Sequence, residues 1–196
     1  MSIKKVPLII NGEKVCSITD TWLDVLNPAT QEVVARVPVA TKEEVDAAIA
    51  SAAKAFKSWS KVSLTTRMRI MLNFQQLVRE HTQELAELVT LEHGKTLPDA
   101  EGEVGRSLEA IENACSITHL QLGEMANNAA SDVDTYTLNK PLGVGLGITA
   151  FNFPLMLASF MFPAAIACGN TFVLKPSEQA PSSTTLLVEL ALKAGI

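Results

Sequence analysis

The chain has 196 residues, with 16 Lys+Arg against 21 Asp+Glu and a formal charge of −5. That length holds one large domain or two small ones around a real core, and with this acidic balance nothing pulls towards nucleic acid or acidic membrane. At 47% apolar and 19% charged, it is a folded chain and not a disordered one.

The first 40 residues read as short strands and turns. Val6 to Ile10, Asn11-Gly12 and Glu13 to Ile18 form a strand, a type I′ turn and a returning strand. Asn27-Pro-Ala-Thr30 is a second turn between Trp22–Leu26 and the alternating Glu32–Val37. Helices follow. Thr41 and Glu44 form a capping box ahead of an apolar face of Val45, Ala48, Ile49, Ala52, Phe56 and Trp59. Ser63 opens a second stripe through Met68, Met71, Leu72, Gln75 and Val78. Thr82 opens a third through Leu85, Leu88 and Val89, stopped by Gly94. Pro98 suits the first turn of a fourth helix, whose stripe of Val104, Leu108, Ile111 and Cys115 is expected to reach Leu122. That is about 25 residues, or roughly 37 Å. Val133 to Leu138 then alternates like a strand.

Residues 141 to 174 carry no charged side chain. Glycines and prolines break the run into pieces, none of which supplies the roughly 20 unbroken apolar residues of a membrane span. The spacing predicts a buried strand (Val144 to Thr149), a turn (Phe151 to Pro154), a buried helix (Leu155 to Cys168) and a second buried strand (Thr171 to Leu174), with a further helix over Ser182 to Lys193. This is the pattern of a parallel sheet covered on both faces. Gly145-Leu-Gly147-Ile-Thr-Ala150 matches a dinucleotide fingerprint in form, but those glycines lie inside a strand and lead to no helix start. They read as sites of close backbone packing.

Two polar groups stand out. Asn152 lies between two phenylalanines ahead of Pro154; an amide there either stabilises an oxyanion or forms a turn with its own backbone. Lys175-Pro-Ser-Glu178 follows a strand end, where open sheets bind ligands; it is either a polar-ligand site or a solvated loop with a helix cap at Ser177. The odd cysteine count, Cys16, Cys115 and Cys168 with no close pair, excludes a disulfide framework and a clustered metal site. His81, His93 and His119 read as surface or helix-end residues. The first residues lack a signal or transit pattern, so the expected location is the cytoplasm.

Ile148-Thr-Ala-Phe-Asn-Phe-Pro154, Ala165-Ile-Ala-Cys-Gly-Asn170 and Thr171-Phe-Val-Leu-Lys-Pro-Ser-Glu178 resemble the aldehyde dehydrogenase superfamily. Arg69-Ile-Met-Leu-Asn73, Leu91-Glu-His-Gly-Lys-Thr96, Asp99-Ala-Glu-Gly-Glu-Val104 and Met161-Phe-Pro163 are most similar to its CoA-acylating methylmalonate-semialdehyde dehydrogenases. The likeness runs from about Ile9 to the last residue.

The resemblance implies an α/β fold: the N-terminal part of an aldehyde dehydrogenase, with helices, an open parallel sheet and a short β arm. Residues 1–131 correspond to a β-hairpin and helical part of the cofactor domain, 132–141 to an oligomerisation-arm strand, and 142–196 to the first, incomplete βαβα unit of the NAD-binding sheet. It also implies the chemistry. A cysteine thiolate attacks a semialdehyde, hydride leaves to NAD, and coenzyme A takes the thioester. Asn152 matches the oxyanion asparagine, Lys175 and Glu178 the pair that binds the adenosine ribose of NAD, and Thr149 and Phe151 positions lining the cofactor. Gln179 stands at a cofactor position where that subfamily often has Arg, and Ala150 where many members have Pro. Arg106 matches an arginine that binds the substrate carboxylate; by itself it reads as a surface helix charge. The implied partners are a small semialdehyde and further copies in a dimer or tetramer, with no nucleic acid and no membrane.

None of the three cysteines matches the family nucleophile, and the matching cysteine and glutamate base are expected beyond Ile196. The expectation is therefore that these 196 residues do not catalyse alone. A truncated module that associates with full-length subunits, or an enzyme that hydrolyses its thioester, are the alternatives.

Overall fold

The structure, a computed structural model, describes residues 3–196. It opens with β1 (Lys4–Lys5), β2 (Leu8–Ile10), β3 (Glu13–Val15), β4 (Trp22–Leu26) and β5 (Val33–Pro38). β2 and β3 pair antiparallel across Asn11 and Gly12, whose φ angles of 55° and 76° a type I′ turn requires. β4 pairs antiparallel with β5, and β1 runs parallel on the other side of β5.

β3 stops at Val15, short of the expected Ile18. Glu44 takes the Ile18 amide that a longer strand would have used, accepting from Ile18 N and also from Ser17 Oγ at 2.9 Å each. The same carboxylate accepts from Thr41 N at 2.8 Å and completes the expected capping box of α1 (Lys42–Trp59). No residue of α1 is fully buried, and Val45 and Ile49 on its apolar face are about half exposed. The helix is fastened at its far end, where Trp59 Nε1 donates to Ile166 O and Ala52 O accepts from Thr171 Oγ1, each at 2.9 Å.

α2 (Leu64–Glu80), α3 (Thr82–His93), α4 (Leu97–Cys115) and α5 (Ile117–Leu120) follow. Ser63 and Thr96 cap α2 and α4, each hydroxyl accepting from the amide three residues on. Gly94, at φ 84°, ends α3; a Cβ there would stand 2.7 Å from the Pro28 ring. On α2 the buried stripe is Arg67, Met71, Phe74 and Val78, so Phe74 is buried and the expected Leu72 lies half exposed. The fourth helix does not reach Leu122. Ser116 Oγ and N both bond back to Asn113 O, which ends α4 at Cys115, because a serine hydroxyl competes for the carbonyls a helix needs.

β6 (Met125–Ala130) and β7 (Val133–Tyr136) form an antiparallel hairpin that is exposed throughout. Only its second strand is legible in the sequence pattern, since Met-Ala-Asn-Asn-Ala-Ala has no alternation.

The uncharged stretch resolves into β8 (Val144–Ile148), α6 (Pro154–Ala167) and β9 (Thr171–Lys175), followed by α7 (Ser182–Ala194). β8 and β9 are parallel, as expected. They are not buried on both faces. Gly145 and Gly147 turn toward Phe172 and Met161, where a Cβ would come within 2.7–2.8 Å of the Phe172 ring. Val144, Leu146 and Ile148 point the other way, and Leu146 and Ile148 are about two-thirds exposed. The glycine pair therefore serves close packing inside a strand. No helix among the described residues is long and apolar enough to cross a membrane.

The main core joins α2, α3, α4, α6 and α7, with α4 lying along α6. The Phe74 and Phe162 rings meet at its centre, 5.8 Å apart and tilted by 44°. Truncating such a ring costs about 3–5 kcal/mol. This core fixes where the ends of β8 and β9 stand.

Candidate active site

Parallel pairing sets the carboxyl ends of β8 and β9 side by side, with Ile148 opposite Lys175. Ligands of open parallel sheets bind outside this edge. Two loops leave it, residues 149–153 toward α6 and residues 176–181 toward α7.

In the first loop Thr149 N donates to Lys175 O at 3.1 Å, and the buried Thr149 Oγ1 has no partner among the described residues. Phe151, Asn152 and Phe153 are exposed. The Asn152 backbone carbonyl accepts from Lys95 Nζ at 2.9 Å, and its side-chain amide makes no hydrogen bond among the described residues. The same ammonium lies 3.9 Å from the centroid of the Phe153 ring. Phe151 stacks on His93, with centroids 6.4 Å apart and planes 25° off parallel. Burial, and then the Lys95 charge, lower the His93 pKa, with Glu103 opposing, so a neutral ring meets Phe151.

Glu103 closes this arrangement. Its side chain is 1% exposed; Oε1 accepts from Leu155 N at 2.9 Å and from Met156 N at 3.1 Å, and Oε2 accepts from Lys95 Nζ. A carboxylate at a helix N-terminus satisfies orphan amides and meets the positive end of the helix dipole. The pattern of motifs does not single out Glu103, Lys95 or His93 as support for this loop. A signal was present, because Ala100, Val104, Ser107 and Ile111 define the buried face of α4 and Glu103 falls on it. A carboxylate at such a position needs a partner.

The second loop is held differently. Lys175 Nζ donates to Glu178 Oε2 at 2.7 Å, and both side chains are about half exposed. That bond holds the Glu178 pKa below the usual carboxylate range, so the group is ionised. Ser177 is buried and its Oγ accepts from Gln179 N at 3.2 Å, forming a turn and not the expected helix cap. α7 begins only at Ser182, whose N–H donates to Glu92 Oε2 at 2.9 Å. Burial pushes the Glu92 pKa up, with the Ser182 bonds pulling it back. Gln179 is exposed.

Arg106 stands apart. It lies one turn beyond Glu103 on α4, exposed, with Nη1 donating to Glu109 Oε2 at 2.9 Å. No hydrogen bond or ion pair among the described residues joins it to Asn152 or Lys175. Cys16 is exposed after β3, while Cys115 and Cys168 are half buried with thiol pKa values raised, mainly by burial.

At this strand edge an ionised carboxylate can accept hydrogen bonds, an ammonium three residues away can donate them, and the Thr149 hydroxyl at the adjoining strand end has no partner among the described residues. The Asn152 side-chain amide on the neighbouring loop can donate to a negative oxygen.

The sequence model of the aldehyde dehydrogenase family matches residues 15–196. The chain is 50% identical over 194 residues to the human methylmalonate-semialdehyde/malonate-semialdehyde dehydrogenase [acylating], mitochondrial, covering 99% of this chain and 36% of the relative. It is 51% identical to the malonate-semialdehyde dehydrogenase of Bacillus subtilis (strain 168), covering 99% and 40%. A Sinorhizobium meliloti 1021 crystal structure complexed with NAD superposes with a TM-score of 0.96 at 40% identity, covering 100% of this chain and 40% of that one. The chain thus spans well under half the length of the curated relatives it matches.

Proposed function

The chain belongs to the aldehyde dehydrogenase family, and from that membership we propose that it works as the amino-terminal part of an NAD-dependent, CoA-acylating (methyl)malonate-semialdehyde dehydrogenase. The observation that carries this reading is the pairing of two features at one sheet edge: the free Asn152 amide on one loop, and Lys175 with the ionised Glu178 on the next.

Attack of a thiolate on an aldehyde puts negative charge on the carbonyl oxygen. The Asn152 Nδ2 donates to that oxygen, and the donor stabilises the transition state most because the charge is absent from the ground state. Lys175 and Glu178 hold the adenosine ribose of NAD, while Thr149 and Phe151 line the adjoining strand end and Gln179 lies at its rim. Glu178 repels a 2′-phosphate and so favours NAD over NADP. NAD, when bound, supplies the acceptor for the hydride. Coenzyme A takes the acyl group, a reading supported by the word acylating in the human relative's name.

Arg106 binds the free carboxylate of the semialdehyde, exchanging Glu109 for it; an exposed pair of this kind is worth no more than about 1 kcal/mol and yields readily. The attacking thiolate comes from outside these 196 residues, since burial disfavours the thiolate at Cys115 and Cys168 and Cys16 stands in the N-terminal β region. The β6–β7 hairpin, exposed along both strands with Met125 and Tyr136 each about 70% exposed, supports assembly with further copies.

The test is NADH formation from malonate semialdehyde, NAD and coenzyme A. The 196-residue chain alone yields none, the intact enzyme yields NADH and acyl-CoA, and Asn152→Ala in that enzyme lowers kcat by about 10²–10³. NADH production by the isolated chain would refute the reading, as would an Asn152→Ala enzyme with unchanged kcat.

A further inference from the structure

The side-chain amide of Asn152 is useful only if it stands still, and no hydrogen bond to the amide itself holds it among the described residues. What is held is the backbone on either side. Lys95 Nζ grips the Asn152 carbonyl at 2.9 Å and lies over the Phe153 ring, and Glu103 both pairs with Lys95 and seats Leu155 N and Met156 N. Lys95 is 14% and Glu103 1% exposed.

A buried ion pair is weak evidence for stability, because desolvating two charges offsets most of their attraction. What sets this pair apart is its reach: it accepts from two amides at the start of α6 and donates to a carbonyl in the loop before it. The pair therefore reads as a device for position.

We propose that Lys95 and Glu103 are positioning residues that set the place of the Asn152 amide, Glu103 anchoring the ammonium to the start of α6 and the ammonium anchoring the Asn152 backbone. The proposal rests on the oxyanion role given to Asn152 above. Displacing a reacting-site group by about 1 Å costs on the order of 10²-fold in rate. The contacts of Lys95 are to Glu103, the Asn152 carbonyl and the Phe153 ring, so its effect is proposed to pass through Asn152.

The experiment is a double-mutant cycle in the intact enzyme, joined to a magnetic-resonance measurement on the chain. Lys95→Met is expected to lower kcat by about 10²-fold with KM for NAD changed less than twofold, and Lys95→Arg to recover most of the loss. In an Asn152→Ala background, Lys95→Met is expected to cost no further activity. Losses that multiply would overturn the proposal, because a general structural role acts whether or not Asn152 is present. Where Lys95→Met does not fold, Lys95→Gln is read in the same cycle.

If Asn152→Ala keeps full activity, the oxyanion reading has failed, and the positional claim is then decided by the side-chain NH₂ resonances of Asn152 in the chain. Lys95→Met is expected to shift and broaden them, whereas Lys14→Met, far from the loop, leaves them in place. Asn152 resonances that stay sharp and unmoved in Lys95→Met would overturn it.

Discussion

The two loops at the carboxyl ends of β8 and β9 are fastened differently, and the function proposed for them asks different work of each. Residues 149–153 are short, and each neighbour of the functional amide is held: Phe151 by His93, the Asn152 carbonyl and the Phe153 ring by Lys95, and the first amides of α6 by Glu103. Residues 176–181 are anchored at Ser177 and at the start of α7, while the functional pair of Lys175 and Glu178 lies in solvent, bonded only to itself among the described residues. A donor to a transient charge gains from being fixed in advance, since reorganisation during the reaction costs rate. A grip on ribose hydroxyls has to form and release with each turnover, and a solvated pair does so at small cost.

The contrast is most exposed to failure at Glu103. Glu103→Ala leaves Lys95 and two amides without their partner and is expected to destabilise the chain by about 3–5 kcal/mol in urea unfolding, against less than about 1 kcal/mol for Lys175→Ala. Equal small losses would erase the distinction between the loops. Next in size, Arg106→Leu is expected to raise KM for malonate semialdehyde by about tenfold and to leave KM for propanal unchanged, a difference of about 1.4 kcal/mol. Equal shifts for both aldehydes would return Arg106 to a surface charge.

The smallest effects are in pH dependence, and their signs are opposite. Glu92, raised by burial, favours the folded state below the ordinary carboxylate range and loses that contribution as pH rises through its elevated pKa. Stability profiles of the chain and of Glu92→Gln are therefore expected to diverge on raising the pH from 4 toward neutrality. Glu178, lowered by Lys175, contributes above the ordinary range and loses its contribution as pH falls through its depressed pKa. Half exposed and screened, that pair is worth at most about 0.5 kcal/mol and is expected to vanish in 1 M salt. A salt-resistant contribution would show the second loop to be held as firmly as the first.

Local chemistry carried much of the architecture. The Asn11-Gly12 turn, the Thr41–Glu44 box, Gly94 as a helix stop and the parallel strands on either side of α6 are each written in a few adjacent residues, because caps, turns and periodicity act over three or four positions. Where a reading failed, a competing contact lay elsewhere. β3 ended early because Glu44, on another element, took its continuation, and α4 ended at Cys115 because Ser116 bonded back to Asn113. Leu146 and Ile148 look like core residues by composition yet lie open, since burial depends on what covers a face and not on the face itself.

The side chains proposed to meet substrate and cofactor are the readable part of the site: Asn152 between two phenylalanines, and Lys175 with Glu178 after an apolar strand. Their spacing along one segment determined that they stand near one another, because two parallel strands joined by one helix bring their ends together. Only the tertiary structure decided how Asn152 is held. Lys95 and Glu103 come from 57 and about 50 residues away and are brought to the loop by the packing of α4 along α6. A buried charge is tolerated where its partners converge, and that convergence is a property of packing that no local pattern encodes.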